Sequence, residues 1–201
     1  MNKNEEEGEE CIKDVYQFGE LKVLVKGFFV LDNNIKKLYD KIKSTHKDTN
    51  IAIVNSKIVF GLDHIFGIIK IINEEMNRKE EREIKNFDIE FLLRICYTNQ
   101  ISYAFQVLND NKSSSSSSSS SFICILFSKS LSNIKNAYTD LKKNGKEGNT
   151  NTLIQISEAK KSHILELFFN KDIKDLENIW ILNDDNKFQK FLIERSAIAL
   201  K

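Results

Sequence analysis

Apolar residues run along this chain in two rhythms, one suited to strands and one to helices. Leu21–Leu31 is a near-continuous run of Val, Leu and Phe and predicts a buried strand. Asp32-Asn33-Asn34 then offers N-cap oxygens, and Ile35, Leu38, Tyr39 and Ile42 follow at i, i+3, i+4, i+7, one face of an amphipathic helix. Ile51–Phe60 places two β-branched runs around Asn55-Ser56 and predicts a tight hairpin. From Leu62 to Asn77 the spacing is helical again. Ile65, Ile68, Ile69, Ile72 and Met76 form a stripe that Phe66 and Ile71 widen, so this helix is expected to be central. Asn77–Glu83 is a charge run, expected to be a solvated connection. Asp88–Cys96 predicts a short helix, and Asn99 is placed to cap another that carries Ile101, Ala104, Phe105 and Leu108 on one face.

Phe122–Phe127 is apolar without alternation, the pattern of a strand buried on both faces, and its best pairing partners lie in Leu21–Phe60. Leu131, Ile134, Tyr138 and Leu141 mark a further helix. Gly145 and Gly148 bracket a polar loop, and Leu153–Ile156 predicts a short strand. Helices are expected over Glu158–Phe169, Asp172–Trp180 and Asn186–Leu200. The fold class that follows is mixed α/β: one helix-rich domain around a small mixed β-sheet. Residues 1–13 are expected to be a disordered acidic tail and 14–201 the single domain. Ser113–Ser121 has no side chain to bury, so residues 109–121 are expected to form a low-complexity loop inside that domain.

Composition narrows the function. Thirty basic against 29 acidic residues, a net charge of +1, argue against a globally basic nucleic-acid coat and against an acidic tail protein. Zero prolines, where about ten are typical for this length, exclude a polyproline ligand and a proline-stiffened linker. Three widely spaced cysteines (Cys11, Cys96, Cys124) make neither a disulfide framework nor a CxxC metal site, and Cys96 and Cys124 sit in apolar runs as expected buried thiols. With no signal-peptide layout and no apolar stretch of membrane length, a soluble protein of cytoplasm and nucleus is expected, with no membrane partner.

Catalytic signatures are missing: no phosphate loop, dinucleotide fingerprint, HExxH or nucleophile elbow. No enzyme activity, cofactor or metal is expected. His46 lies in a polar turn and is expected to be solvated, and His163 to be a surface residue. His64 opens the most apolar helix, where a neutral imidazole can hydrogen-bond a backbone group or make a functional contact, the least favoured use being a small-molecule pocket. Only four of 30 cations are Arg, the side chain suited to bidentate phosphate recognition, so any phosphate contact would fall to lysine faces such as Lys36, Lys37, Lys41 and Lys43. On the last helix Phe188, Phe191, Leu192, Ile198 and Ala199 share one stripe, while Ile193, Ala197 and Leu200 fall on a second. The second stripe meets either another part of the core or an external partner.

Three blocks of the chain resemble a known family. Ile51–Ile72, with Gly61, His64, Ile65 and Ile68, is similar to the Gly-x-x-His-Leu helix segment of the TPRKB / Cgi-type subunits of the EKC/KEOPS tRNA-modification complex. Ile89–Leu108, with Leu92, Leu93, Gln100, Ile101, Ser102 and Ala104, resembles that family's paired helices. Leu192–Lys201, with Glu194, Arg195 and Ala197, resembles its terminal helix. The chain departs from the family at Asn99, where many relatives have Arg, at Tyr97-Thr98, and at Ile68. The resemblance implies a TPRKB-like fold and a non-catalytic subunit. Such a subunit binds and regulates the small atypical kinase/ATPase of the complex, and through it the other subunits. It also assists recruitment of tRNA, including its 3′ end, for threonylcarbamoyladenosine formation beside the anticodon. By the same analogy Ile193, Ala197 and Leu200 would contact the kinase, and His64, Gln100, Ile101 and Ser102 the tRNA. A generic protein-interaction adaptor is the alternative.

Overall fold

The apolar run Phe122–Phe127 lies at the centre of a five-stranded sheet, inside β4 (Ser120–Ser128). The structure, a computed structural model, describes residues 14–30, 35–78, 86–109, 120–169 and 184–200. The expected acidic tail, the Asp32–Asn34 cap, most of the 77–83 charge run, the serines as far as Ser119 and the Asp172–Trp180 helix lie outside these residues. The other strands are β1 (Val15–Phe18), β2 (Leu21–Val30), β3 (Asn50–Asn55) and β5 (Lys146–Gly148). β2 and β3 flank β4, with Val25 opposite Ile125 and Ile53 opposite Cys124. β1 pairs with Leu21–Leu24 and β5 with Gly27–Phe29, so the two short strands share the other edge of β2 end to end. Lys26 fills the gap between them and reaches Asp14 at 3.3 Å and Glu147 at 3.9 Å.

Every described pairing is antiparallel, which corrects the expected mixed sheet. Apart from β1 and β2, which a two-residue turn at Gly19-Glu20 joins, the strands are separated by helical crossovers long enough to return the chain in either direction, so loop length did not set their orientation.

Alternation along β4 distributes its side chains to two layers. Ile123, Ile125 and Phe127 join Val23, Val25, Ala52 and Val54 under α2 (Leu62–Arg78), α3 (Phe87–Ile95) and α4 (Ile101–Asn109). Phe122, Cys124 and Leu126 face α1 (Ile35–Thr45) and α5 (Leu131–Asn144) through Leu38, Ile42, Ile134 and Leu141. The result is an antiparallel sheet between two helical layers, a single mixed α/β domain. α6 (Thr150–Leu153) and α7 (Glu158–Phe169) follow, and α8 (Asp185–Ile198) closes the described chain. Phe60, Ile164, Phe169, Phe188 and Leu192 form a smaller core between α7 and α8.

Several local expectations change. Ile51–Phe60 is not a hairpin: the Asn55 side chain accepts from Lys57 N–H at 3.0 Å and closes a 3-10 turn over Ser56–Ile58, after which Val59 and Phe60 enter the core. Leu153–Ile156 is the end of α6 and a turn, with Asn149 capping the helix through Thr152 N–H. Met76 and Ile101 belong to apolar stripes yet are exposed, because each sits at a helix end beyond the sheet it would cover. Three residues expected in the serine loop belong to regular elements: Asn109 ends α4, while Ser120 and Ser121 are paired in β4, where Ser121 Oγ meets Ser56 Oγ at 2.6 Å.

α2 and α8 approach closely because α2 carries Gly67 at the crossing, where an added Cβ would stand 2.5 Å from Ile193 Cδ1. Alanine gains about 1 kcal/mol of helix propensity over glycine. Here overpacking, on the order of 1–3 kcal/mol, exceeds that gain. Gly67→Ala is therefore expected to lower the thermal midpoint, and Ile193→Ala in the same chain to restore part of it.

Candidate functional site

Three elements that are distant in sequence meet on one side of the sheet: the start of α2, the α3–α4 junction and α8. Gly61 leads into α2 at φ +84, a left-handed conformation that favours glycine, and a Cβ there would press on Gln189 Nε2. Gln189 instead donates to the Phe60 carbonyl at 2.9 Å, fastening α8 to the entry of α2.

His64 stands on the first turn of α2 with its side chain fully enclosed. Phe60 N–H donates to Nδ1 at 3.3 Å, which leaves the ring proton on Nε2, 3.1 Å from Tyr97 Oη. Burial pushes the imidazole down to about 3, and the Tyr97 hydroxyl well up, so the pair is neutral. Tyr97 occupies φ +50 between α3 and α4, a conformation that costs about 1 kcal/mol or more for a residue with a Cβ. Its ring is held there against Phe168 and Phe169, both 5.0 Å away between centroids.

Arg94 is the buried cation of this layer, with 1% of its surface accessible. It sits on α3 four residues after Glu90, and its Nε and Nη2 donate to Glu90 Oε1 at 3.1 and 2.9 Å. Nη2 also reaches Glu75 on α2 at 2.6 Å, and Nη1 donates to the Ser196 carbonyl at 3.1 Å. Ser196 lies in the last turn of α8, whose carbonyls have few partners within the helix. A guanidinium therefore caps α8 and, by its charge, opposes the negative end of the helix dipole.

Of the residues expected to contact a partner, Ile193 packs on Gly67 of α2 and Leu200 is half-buried against the main core, so the second stripe of α8 meets its own domain. Ala197 is half-buried beside them. The exposed apolar side chain of α8 is Ile198, 59% accessible, which the expected pattern had assigned to the core stripe. The error came from splitting one broad apolar face into two: Phe188, Gln189, Leu192 and Ser196 are its buried centre, and Ile193 and Leu200 flank it.

Gln100, Ile101 and Ser102 are exposed at the start of α4, where Gln100, one residue beyond Asn99, precedes the first helical residue. His64 lies beneath Tyr97 and does not share that surface; both its nitrogens have protein partners, which removes it as a pocket base and as a direct tRNA contact. His46 is not merely solvated: its Nε2 lies 2.9 Å from Asp140 of α5. His163 is half-buried, and burial moves it down. Cys96 and Cys124 are buried free thiols, both pushed up to about 12. Among the described residues no group of three or more His, Cys, Asp or Glu is placed to hold a metal, and no helix is long and apolar enough to cross a membrane. Arg94 and Tyr97 were missed as organising residues. The Glu90–Arg94 spacing of four inside an apolar helix was the available signal for the first.

Removing Arg94 takes away the guanidinium that balances the charge of buried Glu90. Arg94→Ala is expected to cost about 3–5 kcal/mol in denaturant unfolding, and Arg94→Met with Glu90→Leu distinctly less. His64 sets a pH dependence. Below its unfolded value of about 6.5 the unfolded chain takes up a proton that the folded ring refuses, so stability falls as pH drops from about 6.5 towards about 3 and is unchanged above. The loss between pH 7 and 5 should be about 2 kcal/mol smaller in His64→Asn than in the native chain, measured by urea midpoints. No family model and no curated protein sequence matches this chain.

Proposed function

We propose that this protein is a non-catalytic subunit of an EKC/KEOPS-type complex that binds the small atypical kinase/ATPase subunit and assists tRNA recruitment for threonylcarbamoyladenosine formation. The observation that carries the reading is where the resembling blocks meet. Gly61–Ile68 begins α2, Leu92–Ala104 spans the α3–α4 junction and Leu192–Ala197 lies on α8. They contact one another directly, through His64 and Tyr97, Gly67 and Ile193, and Arg94 and Ser196. Of the contact residues only His64 is itself a matched position; what supports the reading is that three blocks resembling one family's, far apart in sequence, pack against one another in the fold.

On this reading the partner surface is the exposed edge of α8 that ends at Ile198, with Ala197 beside it. Ile193 and Leu200 support that edge from behind and do not touch the partner. Affinity capture of the full chain followed by mass spectrometry should recover a small kinase with the native protein and lose it with Ile198→Glu at unchanged thermal midpoint. Leu200→Glu should instead lower the midpoint, because Leu200 packs on the core. Normal threonylcarbamoyladenosine levels in cells lacking the protein would sink the proposal.

A further inference from the structure

The net charge of +1 hides a strong asymmetry. α1 and the turn after it carry five lysines: Lys36, Lys37, Lys41, Lys43 and Lys47. α5 carries three more: Lys135, Lys142 and Lys143. About 90 residues separate the two groups in sequence. The fold joins them into one layer over the Leu24–Leu126 face of the sheet. Lys41 Nζ donates to Asn144 Oδ1 at 2.8 Å and His46 meets Asp140 at 2.9 Å, so the two helices adjoin directly. The carboxylates on or under this layer are Asp40, Asp48, Asp88, Asp140 and Glu147. Asp88 is buried against Lys43 and Tyr39, Asp140 against His46 and Lys143, and Glu147 accepts from Tyr138. Eight lysines against five carboxylates leave a surplus of three on one face, so the rest of the chain is net acidic. Lys36, Lys47 and Lys135 have no carboxylate partner among the described residues, and Lys36 and Lys47 are exposed.

We infer that the α1–α5 lysine layer is a docking surface for the phosphate backbone of a structured RNA; the choice of RNA rests on the function proposed above, and the surface itself rests on charge and geometry. Lysine supplies point charges that neutralise phosphates without reading bases, the contact type that gives sequence-independent, salt-sensitive binding. Two other occupants fit the layer less well. A membrane-surface helix needs apolar side chains to insert, and among the described residues the one exposed large hydrophobic of this layer is Leu131. Protein interfaces favour aromatic and Arg anchors and are depleted in lysine. The RNA contact is thereby placed on the sheet face opposite α4, away from Gln100–Ser102.

The test compares the native full chain with the triple variant Lys36→Gln, Lys47→Gln, Lys135→Gln. All three side chains leave the core untouched, so the thermal midpoint is the folding control. Fluorescence anisotropy with a labelled unmodified tRNA transcript should give native binding with a Kd on the order of 1–100 µM at ~0.1 M salt. The variant should bind about tenfold or more weakly, with a log–log salt slope shallower by about two to three. Kinase capture is measured in parallel and should be unchanged. Equal affinity and slope for both proteins would overturn the surface while leaving the function proposed above intact. No native binding to the transcript, or binding to phosphatidylserine vesicles in its place, would overturn it as well. Loss of kinase capture from the native chain with the RNA difference retained would remove the complex and leave the surface standing.

Discussion

A strand that is apolar on both faces cannot lie at a surface, and Phe122–Phe127 is such a strand. Its six side chains are 0–1% accessible and alternate between two cores. Burial on both faces demands a helical layer above and below, and burial of the backbone demands a paired strand on each side. β2 and β3 meet the second demand along almost the whole of β4. The helices that follow each strand meet the first. The remaining pieces are consequences: β1 and β5 cover the outer edge of β2, and α1 and α3 pack beside β3.

Beyond the sheet, the second layer is held by polar contacts as much as by apolar ones. α8 could slide on α2 if only Ile193 and Gly67 were involved, since dispersion contacts have little direction. Gln189 at one end of α8 and Arg94 at the other bond specific carbonyls and remove that freedom. Each of these groups is buried, so any displaced arrangement leaves a donor or a charge without its partner, at a cost of several kcal/mol for the guanidinium. His64 and Tyr97 do the same for the α3–α4 junction, where a left-handed Tyr is retained against two phenylalanine rings and one imidazole.

The two layers differ in chemistry as well as in position. The α2–α3–α8 layer carries its charges in buried or balanced pairs and presents Ile198 at its margin. The α1–α5 layer carries a surplus of lysine and almost no exposed apolar area. On the function and surface proposed above, one sheet would separate a protein contact from a polyanion contact, and a single small domain would hold both at once.

Periodicity alone placed most elements. Leu21–Val30, the α1 and α2 faces, the doubly buried β4 with its partners in Leu21–Phe60, and α5, α7 and α8 could all be read from spacing, because burial imposes period 2 or 3.6 whatever the neighbours are. Short elements escaped it: β1 and β5 have too few residues to show a period, and the 3-10 turn at Ser56–Ile58 depends on one side-chain bond from Asn55. At the candidate site the sequence identified His64 as a histidine on an apolar helix, but its enclosure under Tyr97 required the α3–α4 turn to fold back over it. Which flank of α8 meets the core was likewise undecidable from 100° steps, since Ile193 and Ile198 are equally apolar. Only the approach of α2 through Gly67 selects between them. Sequence by itself determined which residues must be buried; the tertiary structure decided what each of them is buried against, because that choice is made by contacts between segments dozens of residues apart.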